Sequence, residues 1–238
     1  IFIVTKNYRQ KKRDNLLISE QKAIVEEKNQ EITDSITYAR RLQNAILPPT
    51  ELVKSYLANS FILFQPKDVV SGDFYWAEKI NDKILIAAAD CTGHGVPGAM
   101  VSVVCSNALY RATKEFKLEK PSEILNKTRT LVIETFEKSN ESVKDGMDIA
   151  LCSLDLKNNV LEYAGANNPL WILRNNQTEI EEIKADKQPI GVYNYSQPFT
   201  NHLIKINQGD SLFLFSDGYA DQFGALVSRN KLLIILKK

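Results

Sequence analysis

Ala87-Ala88-Ala89-Asp90-Cys91-Thr92-Gly93-His94-Gly95-Val96-Pro97-Gly98-Ala99-Met100 decides how this chain is read. The apolar run Ile84-Leu85-Ile86-Ala87-Ala88-Ala89 stops on an acid, a glycine-rich turn follows, and a helix opens at Pro97. A buried strand that ends at Asp90 fixes one carboxylate on the rim of a sheet. The glycines let backbone pass close to whatever that carboxylate holds. Oxygen-rich cation sites are built this way.

Other acids stand in the same setting. Ser71-Gly72-Asp73 precedes the aromatic run Phe74-Tyr75-Trp76, and Asp145-Gly146-Met147-Asp148 precedes Ile149-Ala150-Leu151-Cys152. Ser211-Leu212-Phe213-Leu214-Phe215 ends in Ser216-Asp217-Gly218-Tyr219-Ala220-Asp221. A single Asp-Gly pair is a turn signal. Repetition at the edges of several apolar strands points instead to carboxylates converging on one site. With no cysteine or histidine ligands in the pattern, such a site suits Mg²⁺ or Mn²⁺ better than zinc.

The bulk properties exclude several alternatives. The 238 residues suit one full domain plus an appendage. Thirty Lys and Arg against 29 Asp and Glu leave a net charge of +1, which gives no case for nucleic acid. Cys91, Cys105 and Cys152 are isolated, which argues against a zinc site or a disulfide scaffold and for a reducing, cytoplasmic compartment. His94 and His202 are too few for a histidine-based metal cluster.

Ahead of the domain the chain changes character. Within residues 1–13, Ile1-Phe2-Ile3-Val4 is followed at once by Lys6, Arg9, Lys11, Lys12 and Arg13. Two readings stand open: the end of a transmembrane segment with its basic inner flank, or a frayed apolar terminus. Residues 14–47 read as a helical linker free of proline and glycine up to Ile46. Ile18, Val25, Ile32, Ala39 and Ile46 keep a seven-residue repeat, with Lys22, Asn29, Ile36 and Gln43 as a mostly polar companion row. This pattern predicts a weak parallel coiled coil and hence a homodimer; a lone amphipathic helix is the alternative. Pro48-Pro49 ends the helix and opens a domain over residues 48–238.

Inside that domain, strands are predicted over 60–64, 74–80, 83–90, 148–156, 160–164, 170–174, 179–183, 202–206 and 211–215. Helices are predicted over 97–116 and 121–138, each with a proline near its start. The order gives an α+β class with mainly antiparallel sheets.

Taken in order, Gly72-Asp73-Phe74-Tyr75-Trp76, Ala89 through Ala99, Asp145 through Leu151, Tyr163-Ala164-Gly165-Ala166-Asn167-Asn168-Pro169-Leu170 and Ser216-Asp217-Gly218 resemble the metal-dependent serine/threonine phosphatases of the PPM, or protein phosphatase 2C, class. Within that class the chain is most similar to the bacterial branch typified by stage II sporulation protein E and RsbU, over about Leu47 to Gly224. The resemblance implies two stacked β-sheets flanked by helices, and hydrolysis of phosphoserine or phosphothreonine on a regulatory protein, for example an anti-sigma-factor antagonist. It implies two Mn²⁺ or Mg²⁺ ions bridged by Asp90, with Asp73 and the Cys91 carbonyl on one and Asp217 on the other, activating water for in-line attack. His94 would either protonate the leaving oxygen or fix its turn. Asp148 would either face the site or cap a turn, Asp145 would be a turn residue, and Asp221 would play a lesser, outer part. Gly93, Gly95 and Gly218 would serve backbone geometry. Gln188-Pro189-Ile190-Gly191 and Tyr193-Asn194-Tyr195 are candidates for the rim of the substrate cleft.

The chain departs from that pattern at its end. The family carries a further acidic ligand tens of residues beyond the Ser-Asp-Gly motif, whereas no Asp or Glu follows Asp221 here. This predicts a C-terminally incomplete domain that closes with a helix and an edge strand and holds one cation weakly. It also raises an alternative function: a feeble or inactive phosphatase fold serving as a binding or signalling module. The N-terminal flank allows attachment to the inner face of a membrane.

Overall fold

The computed structural model describes residues 2–137, 145–217 and 231–237. It contains a long helix, α1 (Phe2–Asn44), and a compact unit that begins at Leu42. Elsewhere along the chain stand α2 (Thr50–Tyr56), α3 (Gly95–Lys114) and α4 (Pro121–Glu137). The strands are β1 (Ser60–Gln65), β2 (Phe74–Ile80), β3 (Lys83–Cys91), β4 (Met147–Asp155), β5 (Val160–Ala166), β6 (Leu170–Leu173), β7 (Ile180–Ile183), β8 (His202–Lys205), β9 (Ser211–Phe215) and β10 (Lys231–Lys237).

α1 is exposed along most of its length. Ile18, Val25 and Ile32, the predicted heptad positions, all face solvent. No described helix is long and apolar enough to cross a membrane. The helix ends two residues short of Ile46, and its last turn belongs to the compact unit, where Gln43 is buried. The heptad therefore stops before its last predicted repeat.

Among the described residues ten strands form two five-stranded sheets, ordered β1-β10-β9-β6-β7 and β2-β3-β4-β5-β8, with every strand pair antiparallel. This is the α+β sandwich read from the sequence. The second sheet has two apolar faces because its strands carry near-continuous apolar runs. Leu85, Ala87, Ala89 and Cys91 of β3 pack with Val101, Cys105 and Leu109 of α3 and with Ile124 and Leu125 of α4. The intervening residues Ile84, Ile86 and Ala88 face the other sheet, against Leu212 and Leu214 of β9 and Leu232 and Ile234 of β10. α3 comes close to the sheet because Gly98, Ala99, Ser102, Cys105, Ala108 and Ala112 line its buried face with small side chains.

The main surprise is β10. Its Leu232-Leu233-Ile234-Ile235-Leu236 run does not lie at an edge, as expected from the sequence, but between β1 and β9, paired with both. A nearly unbroken apolar run suits an interior strand buried on two sides, and an edge would have exposed it. α2 was also unforeseen; it follows Pro49 directly and buries Val53.

Candidate active site

The register of the second sheet brings the acids together. Phe74 pairs with Ala89, so the same ladder continued by one residue sets Asp73 opposite Asp90. Asp90 pairs directly with Asp148. Side chains alternate along strands, and Tyr75, Ala88 and Ala150 all face the gap between the sheets. Asp73, Asp90 and Asp148, one alternation further on, therefore form a row across β2, β3 and β4 at one end of that gap. From the other sheet, β9 ends at Phe215, and Ser216 and Asp217 follow at the same end. Ser216 Oγ donates to Asp73 Oδ2 over 2.7 Å and ties the sheets together.

Asp90 is the centre of the group. Its carboxyl lies within hydrogen-bonding reach of both Asp73 and Asp217. Burial, and then the facing charges of Asp73 and Asp217, push it up to about 9. Burial likewise raises Asp148; a hydrogen bond from Asn167 opposes this, Asp217 adds to it, and Lys187 eases it. Among the described residues no set of three or more acidic, histidine or cysteine side chains is already spread into a closed ligand cage. What the row offers is an all-oxygen donor set whose like charges crowd one another, and a hard divalent cation relieves that crowding. The donor chemistry fits Mg²⁺ or Mn²⁺.

Three backbone segments cross beside the row with almost no side chain between them. A Cβ on Gly72 would stand 2.7 Å from the Gly93 carbonyl oxygen and 3.0 Å from that of Cys91. A Cβ on Gly98 would stand 2.5 Å from the Gly93 oxygen. Gly93 itself has φ +87°, a left-handed conformation that favours glycine. Cys91 is consistent with a backbone role: its thiol is buried against Cys105, while its carbonyl stands beside Gly72.

The remaining sequence candidates separate. Thr92 Oγ1 donates to Asp145 Oδ1 at 2.7 Å, and Gly146 N–H donates to Thr92 Oγ1 at 3.2 Å, so Asp145 pins the loop after β3 to the start of β4. The exposed His94 ring faces Asp68, with Nδ1 3.6 Å from Oδ2. Asp90, Cys91, Thr92, Met147, Asp148 and Pro189 line a cleft of about 220 Å³, so the Gln188–Gly191 loop reaches its rim. Tyr193 and Tyr195 are exposed, with ring centroids 6.1 Å apart. Asp221 and Gly218 lie outside the described residues. A larger cleft of about 380 Å³, between Ala45–Pro49, Trp76 and Tyr110, has Glu78 as its lining acid, and Glu78 is paired at 2.6 Å with Lys114. The smaller cleft is the one with the chemistry.

Two partners were given no role from sequence. Asn167 Nδ2 donates to Asp148 Oδ1 at 2.8 Å from a residue with φ +58°, and Ser216 holds Asp73. In the sequence Asn167 stands only as one residue of the Tyr163–Leu170 motif that carries the family resemblance. The β4–β5 register, Ile149 opposite Ala166, is what brings it to Asp148.

Comparison with known proteins agrees with this architecture. The chain is 26% identical over 198 residues to phosphoserine phosphatase RsbU of Bacillus subtilis (strain 168), covering 81% of this chain and 55% of that protein. It thus spans about half the length of this curated relative. The SiaA-PP2C domain of Pseudomonas aeruginosa is similar in structure, with a TM-score of 0.76 and 25% identity over 88% of this chain and 98% of the domain. The PP2C phosphatase domain of SpoIIE from Bacillus subtilis, solved with a fragment of its regulatory domain, shares the fold at a TM-score of 0.59 and 15% identity, over 75% of this chain and 61% of that one. Residues 81–237 match the family described as Stage II sporulation protein E (SpoIIE), and with more than half of its length inside that match the chain belongs to the SpoIIE family, on the SpoIIE/RsbU-type branch of the PPM phosphatases.

Proposed function

We propose that this chain is a metal-dependent phosphoprotein phosphatase that hydrolyses phosphoserine or phosphothreonine on a small regulatory protein, of the kind that antagonises an anti-sigma factor. The observation that carries the reading is the row Asp73–Asp90–Asp148 with Asp217 brought against it from the facing sheet. Similarity to a phosphoserine phosphatase of Bacillus subtilis supports the substrate class.

Two Mn²⁺ or Mg²⁺ ions would supply a water of lowered pKa and charge neutralisation at the phosphoryl oxygens. Asp90, central in the row, would bridge them. Asp73 and the Cys91 carbonyl would hold one ion and Asp217 the other. Ser216 orients Asp73 by its hydrogen bond, and Asn167 does the same for Asp148. Pro189 lines the same cleft as Asp90 and Asp148, and its loop would form part of the rim that receives the phosphopeptide. The contact of His94 with Asp68 supports the turn-fixing role among its two readings.

The exposed Ile18, Val25 and Ile32 of α1 support a homodimer through that helix. The free, buried Cys91, Cys105 and Cys152 support a cytoplasmic location. The test is release of phosphate from a phosphoserine protein in millimolar Mn²⁺, in the unaltered chain and in Asp90→Ala. Turnover that Asp90→Ala abolishes supports the phosphatase. Binding of a phosphoprotein without turnover would replace it with the binding-module alternative.

A further inference from the structure

Gln43 is the residue whose surroundings fit its predicted role least. The sequence assigns it to the polar companion row of the heptad, yet it is 4% exposed inside the compact unit. Its side-chain amide is fully used there. Oε1 accepts from Ser71 N–H at 3.0 Å, while Nε2 donates to the Ser71 carbonyl and, at 3.0 Å, to Ser102 Oγ. Ser102 Oγ in turn donates to the Ala99 carbonyl at 2.7 Å. The Gln43 amide thus pairs with both polar groups of one peptide residue, as a neighbouring strand would. The β2–β3 ladder starts only at Phe74, so in the segment just before it the side chain takes the place of a strand partner.

That segment leads to the site. Ser71 Oγ accepts from Asp73 N–H at 3.0 Å, Gly72 rests on the Cys91 and Gly93 carbonyls, and Asp73 carries the Ser216 bond. On the other side, Ser102 sits one turn beyond Gly98, which packs on Gly93. We propose that Gln43 is a positioning residue for the carboxylate row: its amide clamps Ser71-Gly72-Asp73 to α3 and so holds Asp73 beside Asp90, making the last turn of α1 part of the site's frame. A purely apolar side chain of this size would fill the same space and hold neither segment. Losing the amide leaves the buried Ser71 peptide unpaired, and the cheapest relief is a shift of the loop that bears Asp73. The inference rests on the phosphatase reading for what Asp73 is held to do.

The experiment compares the unaltered chain with Gln43→Met, which keeps size without the amide, and Gln43→Glu, which keeps the acceptor and sets a carboxylate against the Ser71 carbonyl. Val53→Ala, a buried site outside the clamp, serves as a general destabiliser. Hydrogen exchange of residues 70–74 is followed in chelator, and Mn²⁺ binding by calorimetry. Both Gln43 variants are expected to speed exchange at 70–74 and to weaken Mn²⁺ binding by about 10- to 100-fold, the scale found when a partner of a metal ligand is removed. Val53→Ala is expected to lower the melting temperature and leave Mn²⁺ affinity unchanged. Should Gln43→Met not fold, Gln43→Asn, with the same amide on a shorter arm, takes its place. Unchanged exchange and affinity in the Gln43 variants, or an equal loss in Val53→Ala, overturn the inference alone. Absence of Mn²⁺ binding by the unaltered chain overturns the phosphatase reading and this inference with it.

Discussion

β9 has an acid beyond each end, and the two settings are opposites. Asp210, just before the strand, is 1% exposed and accepts hydrogen bonds from Asn207 N–H, Asn175 N–H and Arg174 Nη1, each at 2.9 Å. Burial alone would raise its pKa, but these donors outweigh burial and hold it below the usual carboxylate range. Past the other end, Asp217 joins Asp73 and Asp90, where acid faces acid and Asp90 is driven up to about 9. An aspartate furnished with donors is complete within the protein and stabilises it. An aspartate facing its own kind costs stability until something positive arrives, which is the mark of a working site.

The sharpest way to break this contrast is to remove one acid from each end. On the proposed function, Asp90→Ala should lower phosphatase turnover by roughly 10³-fold, because Asp90 would hold both ions and so the water they activate. Its fold should survive, as judged by circular dichroism. Asp210→Ala should do the reverse. It strips a charge partner from Arg174 and removes the acceptor of two part-buried backbone N–H groups, those of Asn175 and Asn207, so denaturant unfolding should show a loss of about 2–4 kcal/mol. Manganese activation of the folded fraction should stay normal. Equal effects of the two variants on both measurements would dissolve the distinction.

The two acids also predict opposite pH responses in chelator. Asp210 has a folded pKa below its unfolded value, so its contribution is present above about pH 4 and is lost as pH falls through the lower folded value. Asp90 has a folded pKa above its unfolded value. Its ionisation therefore destabilises the metal-free fold progressively as pH rises from about 4 to about 9. Melting curves should show Asp90→Asn gaining on the unaltered chain as pH rises through that window, and saturating Mn²⁺ should cancel the gain. A pH-independent difference would mean that Asp90 does not titrate against its neighbours. The smallest effect should come from Asn167→Ala, which releases Asp148 without removing a member of the Asp73–Asp90–Asp217 group. About a tenfold fall in turnover is expected, with Asn167→Asp distinguishing lost hydrogen bonding from added repulsion.

Much of this site was legible because an apolar strand that ends on an acid declares where the carboxylate must be. Asp90 and Asp217 close apolar runs and Asp73 stands just ahead of one, so all three mark strand ends, while the β2–β3 register is what sets Asp73 beside Asp90 on one face. The same rule says nothing about partners. Asn167 reaches Asp148 only through the register of β4 with β5, and register is set by tertiary pairing. Gln43 was misread for a different reason: the seven-residue repeat runs on in phase to Ile46, whereas the helix stops at Asn44 and its last turn docks. A run such as 232–236 states that a strand is buried but not which neighbours bury it, so the place of β10 between β1 and β9 needed the structure.

Adjacent residues at the end of β3 look in opposite directions, and this has a consequence for oxidative stress. Asp90 turns toward the gap between the sheets, while the thiol of Cys91 is sealed beneath α3 beside Cys105 and is held protonated by burial. A sulfur atom one residue from Asp90 is thus hidden from peroxide, because only an accessible thiolate reacts. Phosphatases that attack with cysteine are switched off by oxidants. A site built like this one would keep working through the same insult.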